Sequence, residues 1–309
     1  MFRIKVNCSE LMSDWSAFMR LFLRDWQVAY RLLPSGSVFT DKNTPFIAIP
    51  NTKRYTAADP FLFNYNGVKY LFAELFDKKE NIGKIGCCVF ENGRFSDWHL
   101  IIEEPYHLSY PNIFSFENNI FIVPEANESK TVYAYKAIEF PYKWQKCEPI
   151  VTGRKLVDTT FLNYNNRGLM FTYEIIPDDN KKLFVYAIDK KGRLSDYYDN
   201  YVSDDDSSSR PGGNFFEFNG KLIRVSQDCE KDYGSALVFS EICECSEKAY
   251  TENKILHLSP NDISINKKFI SGIHTYNADS EMEVIDFHTV DFSVTTQMRR
   301  IKNKLRRVR

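Results

Sequence analysis

Long apolar runs are missing from this chain of 309 residues: nothing approaches the roughly eighteen consecutive apolar residues that a membrane-spanning helix needs. The first segment, MFRIKVNCSELMSDWSAF, also lacks the unbroken apolar core of a secretion signal, because Ser9, Glu10, Ser13 and Asp14 interrupt it. An excess of charge of one sign is absent as well. Forty Lys and Arg against 41 Asp and Glu leave a net charge of −1, so no global field points to nucleic acid. Glycine is scarce, at 13 residues, and builds neither a phosphate-cradling loop nor a Rossmann fingerprint; a Ser-His-Asp grouping is missing too. The seven cysteines are odd in number and follow no metal-ligand spacing: Cys87 and Cys88 are adjacent, and Cys243 and Cys245 alternate as on a strand. Free thiols in a reducing compartment follow, hence a cytoplasmic protein; no motif calls for a cofactor or a metal.

What the chain does have is aromatic and apolar residues, 43% hydrophobic with 25 Phe and 18 Tyr, enough for a large strand-built core. It also repeats itself. The phrase ADPFLFNYNGVKYLFAE (58–74) returns as SYPNIFSFENNIFIVPE (109–125), as VDTTFLNYNNRGLMFTYE (157–174), more loosely as SRPGGNFFEFNGKLIRVSQD (209–228), and in degraded form as GIHTYNADSEMEVIDF (272–287). Each copy is an apolar strand, a turn with Asn or Gly, and a second apolar strand, which is a β-hairpin signal. The copies start at Asp59, Tyr110, Asp158, Arg210 and His274, spacings of 51, 48, 52 and 64 residues. Strand repeats of that length predict an all-β fold, a five-bladed β-propeller over residues 26–292.

In an antiparallel hairpin the first residue of one strand lies beside the last of the next. Asp59 should then neighbour Glu74, Tyr110 neighbour Glu125, Asp158 neighbour Glu174, and Arg210 neighbour Gln227 and Asp228. If the hairpins line one channel, these groups meet at one mouth. Two carboxylates across a cleft supply the acid and base that sugar chemistry needs, so Asp59, Glu125, Asp158 and Glu174 are the candidate catalytic residues. Crowding and burial would raise some of their pKa values. The candidate substrate-binding residues in the same register are Glu74, His107, Tyr110, Arg210, Arg224, Gln227, Asp228, Tyr233, His274 and Asn277. Arg210 suits an anionic group, and Gly212-Gly213 beside it allow close backbone approach.

Outside the repeats, Leu11, Trp15, Phe18 and Phe22 form a helical stripe within residues 1–25, with Ser9 as N-cap. Trp26–Arg31 reads as a strand. The run Ser203-Asp204-Asp205-Asp206 sits in a Ser-rich stretch and reads as an exposed loop rather than a metal site. The tail 293–309 ends in Arg299–Arg309, which holds seven Lys and Arg and no acid. Such a block is either solvated or attracted to an anionic membrane surface.

The phrases ADPFLF, YLFAE, HLSYPNIF, IFIVPE, FPYKW, VDTTF, SRPGG, RVSQDC…YG and GIHTYN together resemble the propeller domain at the N-terminus of glucosamine inositolphosphorylceramide transferases. The likeness runs from about Trp26 to Phe287. More distantly, ADPF is similar to the start of blade one in five-bladed hydrolases of glycoside hydrolase family 43. This resemblance implies Asp59 as base or acceptor-positioning residue in a catalytic funnel. It also marks a departure, since Tyr110 stands where such hydrolases carry a second acid. A glycosyltransferase-type enzyme of bacterial surface-polysaccharide synthesis is therefore expected. It would bind a sugar or sugar phosphate, with Arg210 and His274 steadying the phosphate, and would work beside a partner glycosyltransferase. A family 43-like hydrolase or phosphorylase and a non-catalytic glycan-binding propeller are the alternatives.

Overall fold

The computed structural model describes residues 25–290 apart from 34–40, 42, 176–181, 190–192, 199, 231, 247 and 266–268. The expected helix over Leu11–Phe22 and the basic tail lie outside the described residues.

Four repeats turn on residue pairs with positive φ at both positions: Asn66-Gly67, Glu117-Asn118, Asn165-Asn166 and Asn219-Gly220. Two positive φ values make a type I′ turn, whose twist matches that of the strands it joins. Asn and Gly tolerate that conformation best, which is why the phrase carries them at its centre.

Each hairpin opens a blade. Blade one contains Tyr55–Tyr65, Val68–Asp77 and Ile82–Glu91, with an outer edge of Arg94–Phe95 and His99–Ile102. Blade two is Ser109–Phe116, Asn119–Glu125, Thr131–Glu139 and Lys143–Thr152. Blade three is Leu156–Tyr164, Arg167–Glu174, Lys182–Ile188 and Leu194–Asp196. Blade four has an interrupted inner strand, Arg210–Pro211 and Phe216–Phe218, followed by Lys221–Asp228, Ala236–Cys245 and Tyr250–Leu258. Blade five is assembled from both ends of the chain. Its Met282–Thr289 pairs with Tyr276–Ala278 on one side and with Gln27–Leu32 on the other, in register from Gln27↔Phe287 to Leu32↔Met282. Ile47–Ala48 completes the outer edge. The strand that sequence placed ahead of blade one thus belongs to blade five, where it closes the ring.

The core is divided accordingly. Five apolar clusters occupy the five blade interfaces. Val28, Tyr30 and Val284 of blade five, for example, meet Ala57, Leu62 and Leu71 of blade one. Since every interface has its own cluster, the ring is continuous, and the middle is left to polar groups. The protein is an all-β five-bladed propeller.

Candidate active site at the channel mouth

At the start of each of the first three inner hairpins the ladder slips by one residue, between Ala58 and Phe61, Ser109 and Asn112, and Val157 and Thr160. The residues in these bulges are Asp59, Tyr110 and Asp158, all left-handed with φ of 51°, 44° and 50°. A non-glycine residue held there costs about 1 kcal/mol or more. What it achieves is a freed backbone N–H. The amide of Asp59 donates to Asp286 Oδ2 of blade five at 2.9 Å, that of Tyr110 to Asp59 Oδ2 at 3.1 Å, and that of Asp158 to Glu125 Oε2 at 3.2 Å. Each bulge therefore fastens its blade to a carboxylate of the blade before it.

Asp59 is 5% exposed. Besides the Tyr110 amide it accepts the Thr275 hydroxyl at 2.8 Å, and His274 Nε2 lies 3.2 Å from Oδ1. On its other side His274 Nδ1 is 2.7 Å from Asp286 Oδ2, an ion-pair contact too bent for a hydrogen bond. Asp286 itself is held by the His274 and Thr275 amides at 3.0 and 2.9 Å. Burial pushes Asp59 up to about 7; the His274 charge opposes this, and Asp286, Glu74 and Asp158 reinforce it. Burial would lower His274, but Asp286 and Asp59 outweigh it and lift the imidazole to about 9. Near neutrality the centre is an imidazolium between two carboxyls, one of them poised to exchange its proton. Ligating atoms of Asp59, His274 and Asp286 do converge within 4.8 Å. In this arrangement the two carboxylates also accept the Asp59, Tyr110, His274 and Thr275 amides and the Thr275 hydroxyl.

Beside this centre, Asp158 (3% exposed) accepts Arg210 Nε and Gln227 Nε2, the latter at 2.9 Å. Gln227 Nε2 also reaches the Pro211 carbonyl at 2.8 Å. Burial and the facing Asp158 drive the half-buried Glu125 carboxyl well above the carboxylate range, against the pull of Arg210. Tyr110 has a different part. Its hydroxyl lies 2.8 Å from Thr160 Oγ1 of blade three and accepts the Gly213 amide of blade four at 2.8 Å. A side chain that joins blade two to non-adjacent blade four must cross the channel, so Tyr110 closes it beneath the mouth. Asn277 is a fastener too, donating to the Pro60 carbonyl at 2.7 Å.

The rim is more open. His107 Nε2 faces Glu74 Oε1 at 3.2 Å, and Nδ1 accepts the Gly83 amide at 3.0 Å. A Cβ on Gly83 would stand 2.7 Å from both Glu74 and His107, so only glycine admits this contact. Tyr233 is 44% exposed, with the Arg210 guanidinium 4.9 Å from its ring centre. Its ring lies edge-on to His274 at 5.0 Å, and Trp26 covers the same imidazole at 4.0 Å.

Three expected residues are elsewhere. Glu174 pairs with Leu156, one residue past the position of Glu74 and Glu125, which Tyr173 occupies opposite Val157. A one-residue step reverses the face of a strand, and the Glu174 carboxylate meets Arg154 instead, at 2.8 Å from Nε. Arg224 and Asp228 fail for the same reason, standing at odd offsets from Gln227. Arg224 is buried against Glu252 and the Ser208 carbonyl. Asp228 pairs with His257 at 2.9 Å, in a cleft of about 710 Å³ on the flank of blade four. His274, locked between carboxylates, is not free to steady a phosphate. Conversely, sequence reasoning passed over Asp286, Thr275, Gly83 and the role of Trp26. Asp286 was visible inside EVIDF, twelve residues after His274, but the fifth copy has a longer turn and hides the register.

Comparison with known proteins agrees with this architecture. A family profile, glucosamine inositolphosphorylceramide transferase 1, N-terminal, matches residues 43–283. Glucosamine inositolphosphorylceramide transferase 1 of Oryza sativa subsp. indica is 30% identical over 203 residues, 63% of this chain. That stretch is 27% of the rice protein, so the chain spans about a quarter of the curated relatives it matches. Among solved structures, a family 117 glycoside hydrolase of Zobellia galactanivorans superposes with a TM-score of 0.55 at 13% identity, covering 89% of this chain and 92% of the hydrolase. A thermostable family 43 glycoside hydrolase gives 0.54 at 14% identity, covering 78% and 91%. Those two likenesses concern the fold. The chain belongs to the family defined by the N-terminal domain of glucosamine inositolphosphorylceramide transferase 1.

Proposed function

We propose that this propeller is a carbohydrate-active domain that carries out glycosyl transfer at its channel mouth, in surface-glycan synthesis. The observation that carries this reading is Asp59, a buried carboxyl at the bulge of blade one with His274 Nε2 at 3.2 Å from its Oδ1, an environment that pushes it up to about 7. A general base works best when its pKa lies near the ambient pH. Asp59 takes the proton of the acceptor hydroxyl as that oxygen bonds to the anomeric carbon. The bond from the anomeric carbon to the leaving oxygen breaks, and its electron pair departs with the leaving group. Glu125 is the acid best suited to protonate that oxygen, since burial keeps it protonated while part of it still meets solvent. Asp158 is occupied by Arg210 and Gln227, and Glu174 by Arg154.

The test is Asp59→Asn in cells that depend on the protein for a surface glycan. Asn keeps one oxygen to accept the Tyr110 amide and offers its NH2 to the Thr275 hydroxyl, but cannot take a proton. Loss of glycan while the variant still folds, checked by its circular dichroism, is expected; normal glycan assembly would remove the base from the reading. A second reading, a glycan-binding domain without chemistry, is favoured by Tyr110 across the channel and by the low exposure of Asp59 and Asp158. It predicts that Asp59→Asn has no effect on assembly. The length of the relatives supports a further transferase segment or partner beside the propeller. The basic stretch Arg299–Arg309 supports a cytoplasmic site of action at an anionic membrane surface.

A further inference from the structure

Arg210 uses fewer of its donors than the other arginines held in ion pairs by the fold. Arg224 gives Nε and Nη2 to Glu252, Arg154 gives the same pair to Glu174, and Arg54 divides its donors between Asp77 and Glu80. Arg210 is anchored through Nε alone, on Asp158, which Gln227 holds from the other side. Among the described residues neither of its terminal nitrogens has a hydrogen-bond partner, and its side chain is 21% exposed. The guanidinium is also kept in place by the Tyr233 ring, 4.9 Å away. A guanidinium fixed at Nε and on its face, with both outer nitrogens open to the mouth, presents two parallel N–H donors, the pattern that two oxygens of one anionic group fill. Tyr233 adds an exposed ring of the kind a pyranose stacks on.

We infer that Arg210 and Tyr233 form a subsite for a sugar bearing an oxyanion, a phosphate or a carboxylate, with the ring of the sugar on Tyr233. This deepens the proposed function and rests on the mouth being its site. Electrostatics sets a condition. Asp59, Asp158, Asp286 and Glu74 outnumber the cations Arg210 and His274, with His107 at the edge, so an incoming anion is tolerated only where it meets the Arg210 guanidinium directly.

Calorimetric titration of the full chain with a hexose 1-phosphate, a hexuronic acid, the neutral hexoses and inorganic phosphate separates the possibilities. At least tenfold tighter binding of the anionic sugars than of the neutral ones is expected, with inorganic phosphate weaker because it lacks the ring. Arg210→Lys keeps the charge beside Asp158 and the fold, and should abolish the preference for anionic sugars. Tyr233→Ala, at an exposed position, should weaken every sugar by more than it weakens inorganic phosphate, since only the sugars lose a stacking ring. Equal affinity for neutral and anionic sugars, or a preference that survives Arg210→Lys, would overturn the subsite. Asp59→Asn distinguishes the two levels: it should stop transfer yet retain the anionic preference. Loss of the preference in Arg210→Lys stands whether or not transfer depends on Asp59.

Discussion

The imidazolium at the mouth makes an unusual demand on the pH dependence of stability. In the folded protein His274 holds its proton to about pH 9, against 6.5 for a free side chain. At ~1.36 kcal/mol per pH unit, this retention contributes about 3 kcal/mol to folding. Because the folded value is the higher one, the contribution is fully present below pH 6.5 and is lost as the pH rises through 9. Asp59 adds to the same trend from lower pH. It is an acid raised from 3.8 to about 7, so the folded state keeps a proton that the unfolded chain has released, and stability again falls as pH rises through that window. A loss of about 3 kcal/mol is large beside the ~5–15 kcal/mol of a typical domain. Urea midpoints at intervals from pH 6 to 9.5, for the protein and for His274→Gln, measure it directly. The variant should be less stable at pH 6 and should lack most of the alkaline decline. Parallel profiles above pH 7.5, or a His274 resonance titrating near 6.5, would refute the reasoning.

Other outcomes follow from single contacts. Gly213→Ala should cost at least ~3 kcal/mol by chemical denaturation, since its φ is 143° and a Cβ would stand 1.8 Å from the Tyr276 carbonyl oxygen. Tyr110→Phe deprives the buried Gly213 amide of its acceptor and should lower stability by about 1–3 kcal/mol, read as a drop in melting temperature. Glu125→Gln should suppress transfer with sugar binding intact, whereas Glu174→Gln should leave transfer unchanged and cost no more than ~1 kcal/mol, as befits a partly exposed ion pair. Removing Arg299–Arg309 should reduce cosedimentation with vesicles containing anionic lipid and have no effect with neutral ones.

The propeller was legible because its signals are local. Asn and Gly at the hairpin turns report type I′ geometry within four residues, and the repeat length then sets the number of blades. Long-range features were not legible. Gln27–Leu32 reads as a strand anywhere, but its pairing with Met282–Thr289 depends on ring closure, which no local pattern records. Errors at the site came from counting by one. Glu174, Arg224 and Asp228 each sit an odd number of residues from the position they were credited with, and on a strand that sends the side chain to the other face. Asp286 was lost for a related reason: the turn after Ala278 is longer than two residues, so the fifth copy does not align with the others.

The three left-handed bulges bear on how such a mouth changes over time. The hydrogen bond that ties each blade to its predecessor is donated by the main chain of Asp59, Tyr110 or Asp158, whatever side chain that residue carries. At Tyr110 and Asp158 that one backbone tie survives a change of side chain, whereas Asp59 is also the acceptor of the next tie and so is held by its carboxylate. Tyr110, set among aspartates at the equivalent positions, is such an exchange already made. The acceptors Asp286, Asp59 and Glu125 have no such liberty, because there the side chain itself is the tie. The mouth thus combines positions free to diversify with positions that are not, and new specificity should arise first at the donors.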